Sequence, residues 1–347
     1  MKAMVLAAGV GSRLDPLTSQ LPKPLVPVAN QPVMEHILKL LKAHGIQDVV
    51  SNLHYLPDKI RNYFGDGSKL GMNLDFRFEP ELTGDAGGVR ACREYFGQDT
   101  FIVLMGDLLT DADLSRVIAE HKRKKAIATI GIKQVEDVSQ FGVVLTDKDG
   151  FITGFQEKPA PEEALSNFAS TGIYILEPEV FDLMPKEGTY GFGRQLFPKV
   201  LQEKLPLLAV DLSTYWSDVG TIQQYRMSNF HALEGELSVE LPGERIASGY
   251  IAENAKLESG VQADGSLLLG RRSHIASGVK IKGRVIIGDN CRIERNAVLE
   301  DTIVWSNSVV EENASLKNCI VGSGCVVQNG TSHSQVTAVK WPAAASR

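Results

Sequence analysis

Two different spacings of apolar residues divide this chain. Through about residue 235, short apolar runs alternate with stretches in which apolar positions recur at helical spacing. Runs at 3–6, 48–52, 74–78, 100–105 and 126–130 predict strands. Between them lie helical patterns such as 34–43, which places Met34, Ile37, Leu38 and Leu41 on one face. This alternation predicts a mixed, mostly parallel sheet with helices on both faces, an α/β, Rossmann-like domain. Ligands of such sheets gather beyond the carboxyl ends of the strands. The turn at Gly9 and the carboxylate of Asp107 each follow a predicted strand directly, so one crevice is expected to hold both.

From about Gly249 the spacing changes to six. Ile251, Leu257, Leu269, Ile275, Ile281, Ile287, Ile293 and Leu299 keep one frame, with Ala263 in the same series. The frame then slips by one to Val298, Val304, Val310 and Leu316. Gly and Asn fall between, as in Ile287-Gly288-Asp289-Asn290. A hexapeptide period with tight turns predicts a parallel β-helix, each repeat giving one short strand and a corner. The expected organisation is a first domain at 1–235, a linker at 236–249, a β-helix at 250–330 and a loose tail at 331–347.

Composition narrows the class. Apolar content of 43% and charged content of 22% suit a globular protein, and the net charge of −6 disfavours nucleic acid as a partner. The basic run at 121–125 is expected to be a solvated helix end. No apolar stretch is long enough to span a membrane, and the N-terminus enters strand pattern at once. Cys92, Cys291, Cys319 and Cys325 lack metal or redox spacing and read as small buried hydrophobes of a reducing, cytoplasmic protein.

The chemistry is concentrated at 6–24, LAAGVGSRLDPLTSQLPKP. Gly9 and Gly11 after a strand let backbone N–H groups approach phosphate. Arg13 offers a planar fork of donors, and Lys23 a point charge held between Pro22 and Pro24. Position 14 is Leu, which excludes the dinucleotide fingerprint, and no Gly-Lys-Ser/Thr follows, which excludes a P-loop.

These residues resemble the sugar nucleotidyltransferases, the NDP-sugar pyrophosphorylases. The resemblance covers nearly the whole chain: GxGxRLxPLT and PKPLVPV, Met105-Gly106-Asp107, FGVV at 141–144, FQEKP at 155–159, STGIYIL at 170–176 and YWSDVGT at 215–221. It implies a C-terminal left-handed β-helix and the joining of a nucleoside triphosphate to a hexose 1-phosphate with release of pyrophosphate. It implies Mg2+ held by Asp107 and Asp218, with Arg13 and Lys23 as catalytic cations on the triphosphate. It implies nucleotide contacts from Leu6, Ala8, Gly9, Gly11, Glu79, Gly84 and Gly87, and hexose-phosphate contacts from Gly142, Glu157, Lys158 and Thr171. Gly88 belongs to the same base-reading loop as Gly84 and Gly87, which reads TGDAGG at 83–88 and matches neither usual form of that loop. Glu79 could accept an imide N–H from uracil, thymine or guanine alike.

Within the family the loop and the β-helix are most similar to the cyanobacterial type of UDP-glucose pyrophosphorylase and to the mannose-1-phosphate guanylyltransferases. UTP with glucose 1-phosphate therefore leads, ahead of GTP with mannose 1-phosphate and dTTP with glucose 1-phosphate. Taken alone, several residues have blander uses. Asp107 could cap a helix from near Asp111, and Asp218 one from Thr221. Glu157 and Lys158 could form an exposed ion pair. His274 is expected to be a surface histidine of the β-helix. A non-catalytic sugar-nucleotide-binding subunit is the rival class, against which the intact Arg13, Lys23, Asp107 and Asp218 argue. The open ends and faces of the β-helix suggest a homo-oligomer.

Overall fold

In the computed structural model, which describes residues 1–340, the chain divides into two compact units. The first comprises Met1–Val10, Pro22–Pro24 and Val33–Asp218; the second comprises Gly11–Leu21, Leu25–Pro32 and the chain from Val219 onward.

The first unit is built on a nine-stranded sheet. Its strands are β1 (Lys2–Leu6), β2 (Asp48–Leu53), β3 (Asn73–Phe78), β4 (Phe101–Met105), then, after a two-residue strand β5 (Leu109–Thr110) outside the sheet, β6 (Ala128–Gln134), β7 (Gly142–Thr146), β8 (Ile152–Glu157), β9 (Phe168–Leu176) and β10 (Leu207–Asp211). The order runs β8-β7-β9-β4-β1-β2-β3, with β6 also on β9 and β10 on β6. β4, β1, β2 and β3 are parallel, as are β6 and β10, while β9 runs against β4 and β6. All five apolar runs read from the sequence are strands here, and the helical pattern at 34–43 is the helix Val33–Ala43. The core is aromatic at one end, where Phe96, Phe101 and Phe181 stack, and Tyr174, Phe192 and Phe197 pack together. Phe101 begins β4 and Tyr174 lies within β9, so these rings pack on both strands. Within the basic run, 122–123 and Lys125 are exposed, but His121 is buried. It faces inward on the helix Leu114–Lys124 to meet Thr129 and Glu177, a correction to the solvated reading.

The second unit is a parallel β-helix with one long helix, Ile222–Glu234, and a small hairpin, Pro27–Val28 with Gln31–Pro32. Coil follows coil in parallel register: Gln262 pairs with Lys280 and Lys280 with Val298, a repeat of 18 residues or three hexads. Val298 then pairs with Ser315 and Ser315 with Ser332, a repeat of 17. The corners sit in left-handed backbone conformation and often carry asparagine, such as Asn290, Asn296, Asn307 and Asn313. Their side chains stack in ladders, Asn290 Nδ2 donating to Asn307 Oδ1 at 3.1 Å.

The frame slip is real but works differently from the expected one. Leu299 stays fully buried and Val298 lies half-exposed; the inward series runs Leu299, Val304, Val310, Leu316, Val321, Val327. One residue is dropped per coil, at corners made by Asp301 (φ 45°) and Asn318 (φ 55°), which turn the chain a residue earlier. The coil also outlasts the hexad. Ser332–Ser334 and Thr337–Ala338 pair with Ser315–Lys317 and Ile320–Val321, so the first part of the expected loose tail forms strands. The remainder of that expected tail, 341–347, lies outside the described residues. Cys291, Cys319 and Cys325 point into the coil and Cys92 into the first unit; all four are buried and none is in a disulfide. Burial pushes the thiols of Cys92 and Cys291 up to about 11.

Candidate active site

The carboxyl ends of β1 and β4 meet at Gly106. A side chain there would strike the Leu6 carbonyl oxygen at 2.6 Å, so only glycine lets its N–H reach that oxygen, at 2.8 Å. Asp107 emerges directly after this junction. The chain then pairs β5 with β11 (Trp216–Ser217), Ser217 opposite Leu109, which returns Asp218 to the same place. The ribbon is fastened by Thr110 Oγ1 donating to the Tyr215 carbonyl at 2.6 Å and by the Trp216 indole donating to the Thr171 carbonyl at 2.9 Å.

Lys23 joins the two aspartates. Its ammonium lies 2.5 Å from Asp107 Oδ2 and donates to the Asp218 carbonyl at 3.0 Å. Lys23 is nearly buried, whereas the Asp107 side chain is 30% exposed and open to a ligand. The capping roles fall away: Asp113 caps the helix Leu114–Lys124, and Thr221 caps Ile222–Glu234. Among the described residues no group of three or more His, Cys, Asp or Glu could hold a metal. Two hard carboxylates remain, a donor set that suits a cation taking its other oxygens from phosphate and water.

Other expected residues are placed differently. Arg13 is exposed in the 3₁₀ turn Ser12–Leu14, after Gly11 with φ 73°, and belongs with the second unit. Gly9 is exposed, and nothing stands where its side chain would be. Leu6 ends β1, and buried Ala8 follows it.

Glu79 is buried, and both its oxygens are engaged. Oε1 accepts from Asn52 Nδ2 at 2.7 Å, and Oε2 from the N–H and hydroxyl of Thr83. Asn52 in turn accepts from Ala7 N–H at 2.9 Å, which ties this loop to the end of β1. Side chains at Gly84, Gly87 and Gly88 would meet Tyr190, Thr83 and the Asn52–Glu79 pair respectively. The glycines of TGDAGG therefore answer close packing of protein on protein. Gly142 does the same for the ring of Phe155. Thr171 is buried, its hydroxyl donating to the Gly131 carbonyl at 2.7 Å.

Glu157 ends β8 opposite Gly142, and Lys158 follows with φ 50°. They do not form the exposed pair of the bland reading. Burial pushes the Glu157 carboxyl above its ordinary value; Lys158 pulls it down, Asp85 pushes it up and Arg194 pulls it down. Glu157 lies against Gly193, where any side chain would collide with its Oε2. Asp85 is likewise held up by burial, although its Oδ1 accepts from Phe192 N–H at 2.8 Å and Ala86 N–H at 2.7 Å. Asp85 and the segment 188–196 were not singled out from the sequence. Three glycines at 188, 191 and 193, interleaved with Tyr190 and Phe192, were the available signal.

His274 is partly exposed and pairs with Glu258 at 2.9 Å. No helix among the described residues is long and apolar enough to cross a membrane.

The family described as "Nucleotidyl transferase" matches residues 2–234, and "GMPPB C-terminal domain" matches 263–339. A UTP–glucose-1-phosphate uridylyltransferase of Synechocystis is 40% identical over 88% of this chain and 83% of its own. A mannose-1-phosphate guanylyltransferase of Mycobacterium tuberculosis is 31% identical over 86% of this chain and 82% of its own. Among solved structures, a putative glucose-1-phosphate thymidylyltransferase of Bacillus anthracis is similar with a TM-score of 0.62 and 27% identity, over 69% of this chain and 96% of that one. With a Rossmann-like sheet that brings Asp107 and Asp218 to one lysine, a β-helix later in the chain and these relatives, the chain belongs to the nucleotidyl transferase family, as a sugar-1-phosphate nucleotidyltransferase.

Proposed function

We propose that this enzyme joins UTP to glucose 1-phosphate, forming UDP-glucose and pyrophosphate. The observation that carries the choice of substrates is the 40% identity to a uridylyltransferase across most of both chains. The sugar-phosphate oxygen attacks the α-phosphorus in line; a phosphorus–oxygen bond forms there as the bond to the β-phosphate breaks. Negative charge grows on the leaving pyrophosphate, so positioned cations are the main requirement. Lys23 and Arg13 are assigned to the triphosphate. Lys23, nearly buried and already held by Asp107 and the Asp218 carbonyl, needs no reorganisation to act. Asp107 and Asp218 would hold Mg2+, which supplies charge neutralisation on the phosphates when bound. Glu157 accepts hydrogen bonds from hexose hydroxyls, and Lys158 meets the hexose phosphate. Gly9, Gly11, Leu6 and Ala8 line the nucleotide. The Glu79–Asn52–Thr83 network shapes the loop that holds Gly84 and Gly87 beside the base.

A second reading, GTP with mannose 1-phosphate, is favoured by the match of 263–339 to a guanylyltransferase C-terminal domain. A matrix of four nucleoside triphosphates against glucose, mannose and galactose 1-phosphates with Mg2+, read by pyrophosphate release, separates them. The largest kcat/KM is expected for UTP with glucose 1-phosphate; a largest value for GTP with mannose 1-phosphate overturns the first reading. We place the enzyme in the cytoplasm, as a homo-oligomer associating through the β-helix.

A further inference from the structure

We propose that Tyr225 and Trp305 are positioning residues for nucleotidyl transfer: through one shared hydroxyl, the β-helix sets the separation of Lys23 and Asp218. The proposal rests on the assignment of Lys23 and Asp218 given above.

The argument begins with the chain itself. Lys23 and Asp218 touch within the first unit, Nζ to carbonyl at 3.0 Å. Each stands at the point where the chain passes to the second unit, Lys23-Pro24 before Leu25 and Asp218 before Val219. The segments that follow them there are bonded to each other. Tyr225 Oη donates to the Pro27 carbonyl at 2.8 Å, and Ala29 N–H to Asn229 Oδ1 at 2.9 Å. Asn229 Nδ2 in turn donates to the Tyr225 carbonyl at 2.9 Å.

Both segments are also tied to the β-helix. The Trp305 indole N–H donates to Tyr225 Oη at 2.7 Å, Asn30 Nδ2 to the Ile287 carbonyl at 2.8 Å, and Arg226 to Asn318 Oδ1 at 2.8 Å. A phenol has one proton to give, and Tyr225 gives it to the carbonyl of the lysine-bearing arm while accepting from the β-helix. Tyr225 is fully buried and Trp305 nearly so, surroundings in which a misaligned hydrogen bond is costly and a satisfied one fixes geometry.

The tethers are short and stiff. Lys23 to Pro27 is KPLVP, with two prolines and a 3₁₀ turn over Lys23–Leu25. Asp218 is followed by Val219, Gly220 and the cap Thr221 of the rigid helix Ile222–Glu234. A shift of the hydroxyl is therefore passed to both ends of the Lys23–Asp218 contact. An apolar residue would have filled the same space; the bridging hydroxyl adds direction.

The test measures kcat, KM and thermal unfolding of Tyr225→Phe, Trp305→Phe, their double variant, Leu316→Ala and Lys23→Ala. Leu316→Ala is the control, since it opens a cavity in the β-helix core one turn on from Trp305 and removes no hydrogen bond of the bridge. Tyr225→Phe and Trp305→Phe are expected to lower kcat about 10- to 100-fold, as misplacement of about 1 Å does. KM for both substrates stays within about threefold, and the double variant is no worse than the poorer single one. Leu316→Ala lowers the unfolding temperature with kcat unchanged. The proposal fails if the folded Tyr225→Phe and Trp305→Phe keep kcat within twofold of wild type, or if Leu316→Ala lowers kcat as much as they do. Should Tyr225→Phe not fold, Asn30→Asp at the half-exposed hairpin removes the Ile287 bond. It is expected to lower kcat several-fold, and an unchanged kcat overturns the proposal equally. Lys23→Ala separates the two levels: retained turnover there defeats the underlying site assignment, whereas its loss beside normal Tyr225→Phe activity defeats only the positioning.

Discussion

Replacing Lys23 by Met removes the ammonium while keeping the length of the stem. Two consequences can be weighed separately. The ion pair with Asp107 is at the edge of the site, its carboxylate 30% exposed, so water can replace the lost partner. Such a pair contributes about 0–1 kcal/mol, and the stem still fills its place, so unfolding temperature is expected to fall by no more than about 2–4 °C. The chemical step loses a prepositioned cation where charge accumulates on the leaving phosphate. One such contact is worth roughly 3–4 kcal/mol in the transition state, which at 1.36 kcal/mol per decade is about 10²–10³ in kcat. Stopped-time pyrophosphate release with saturating substrates measures this against a differential scanning trace of the same preparation. A variant with kcat within tenfold of wild type and an unchanged melting curve would refute the charge argument. A large fall in both quantities would show that Lys23 holds the fold rather than the phosphates.

Glu157→Gln is expected to raise KM for the hexose 1-phosphate at least about tenfold while leaving KM for the nucleotide near wild type, as measured by initial rates, because a carboxylate accepts charge-assisted bonds that an amide does not. Asp107→Asn should raise the Mg2+ concentration for half-maximal rate, and chelation with EDTA should abolish turnover reversibly. Burial depresses the His121 pKa below its ordinary 6.5 despite the opposing Glu177. The stability it contributes is then complete above that value and lost as pH falls through the lower folded pKa. Unfolding temperature followed from pH 8 to pH 5 should therefore drop below about 6.5 in the wild type, and more shallowly in His121→Gln.

Much of this molecule could be read before its structure. Buried parallel strands announce themselves as apolar runs because both faces are covered, and the coil repeats because each turn must present one inward side chain. Lys23, Asp107 and Asp218 stand out in the sequence because phosphate chemistry restricts what can serve, and the fold brings the lysine to both aspartates. What could not be read depends on tertiary neighbours. Gly84, Gly87, Gly88 and Gly142 look identical in sequence to Gly9, yet only Gly9 leaves its side-chain space open. Glu79 gives no sign that Asn52 and Thr83 occupy its oxygens. The shortened corners at Asp301 and Asn318 shift the frame through backbone torsion, which apolar spacing reports only after the fact. The return of 11–21 and 25–32 to the second unit is a matter of packing partners on distant segments, which no local pattern encodes.

The inward-facing cysteines turn the molecule into its own opening clock. Cys92 is sealed in the α/β unit, while Cys291 is sealed in one turn of the coil and Cys319 and Cys325 together two turns further on. An alkylating reagent meets silence until a region breathes, and the peptide that first gains mass names the region. Without a single introduced label, the native thiols can rank the two units, and the stories of the solenoid, by how readily each comes apart.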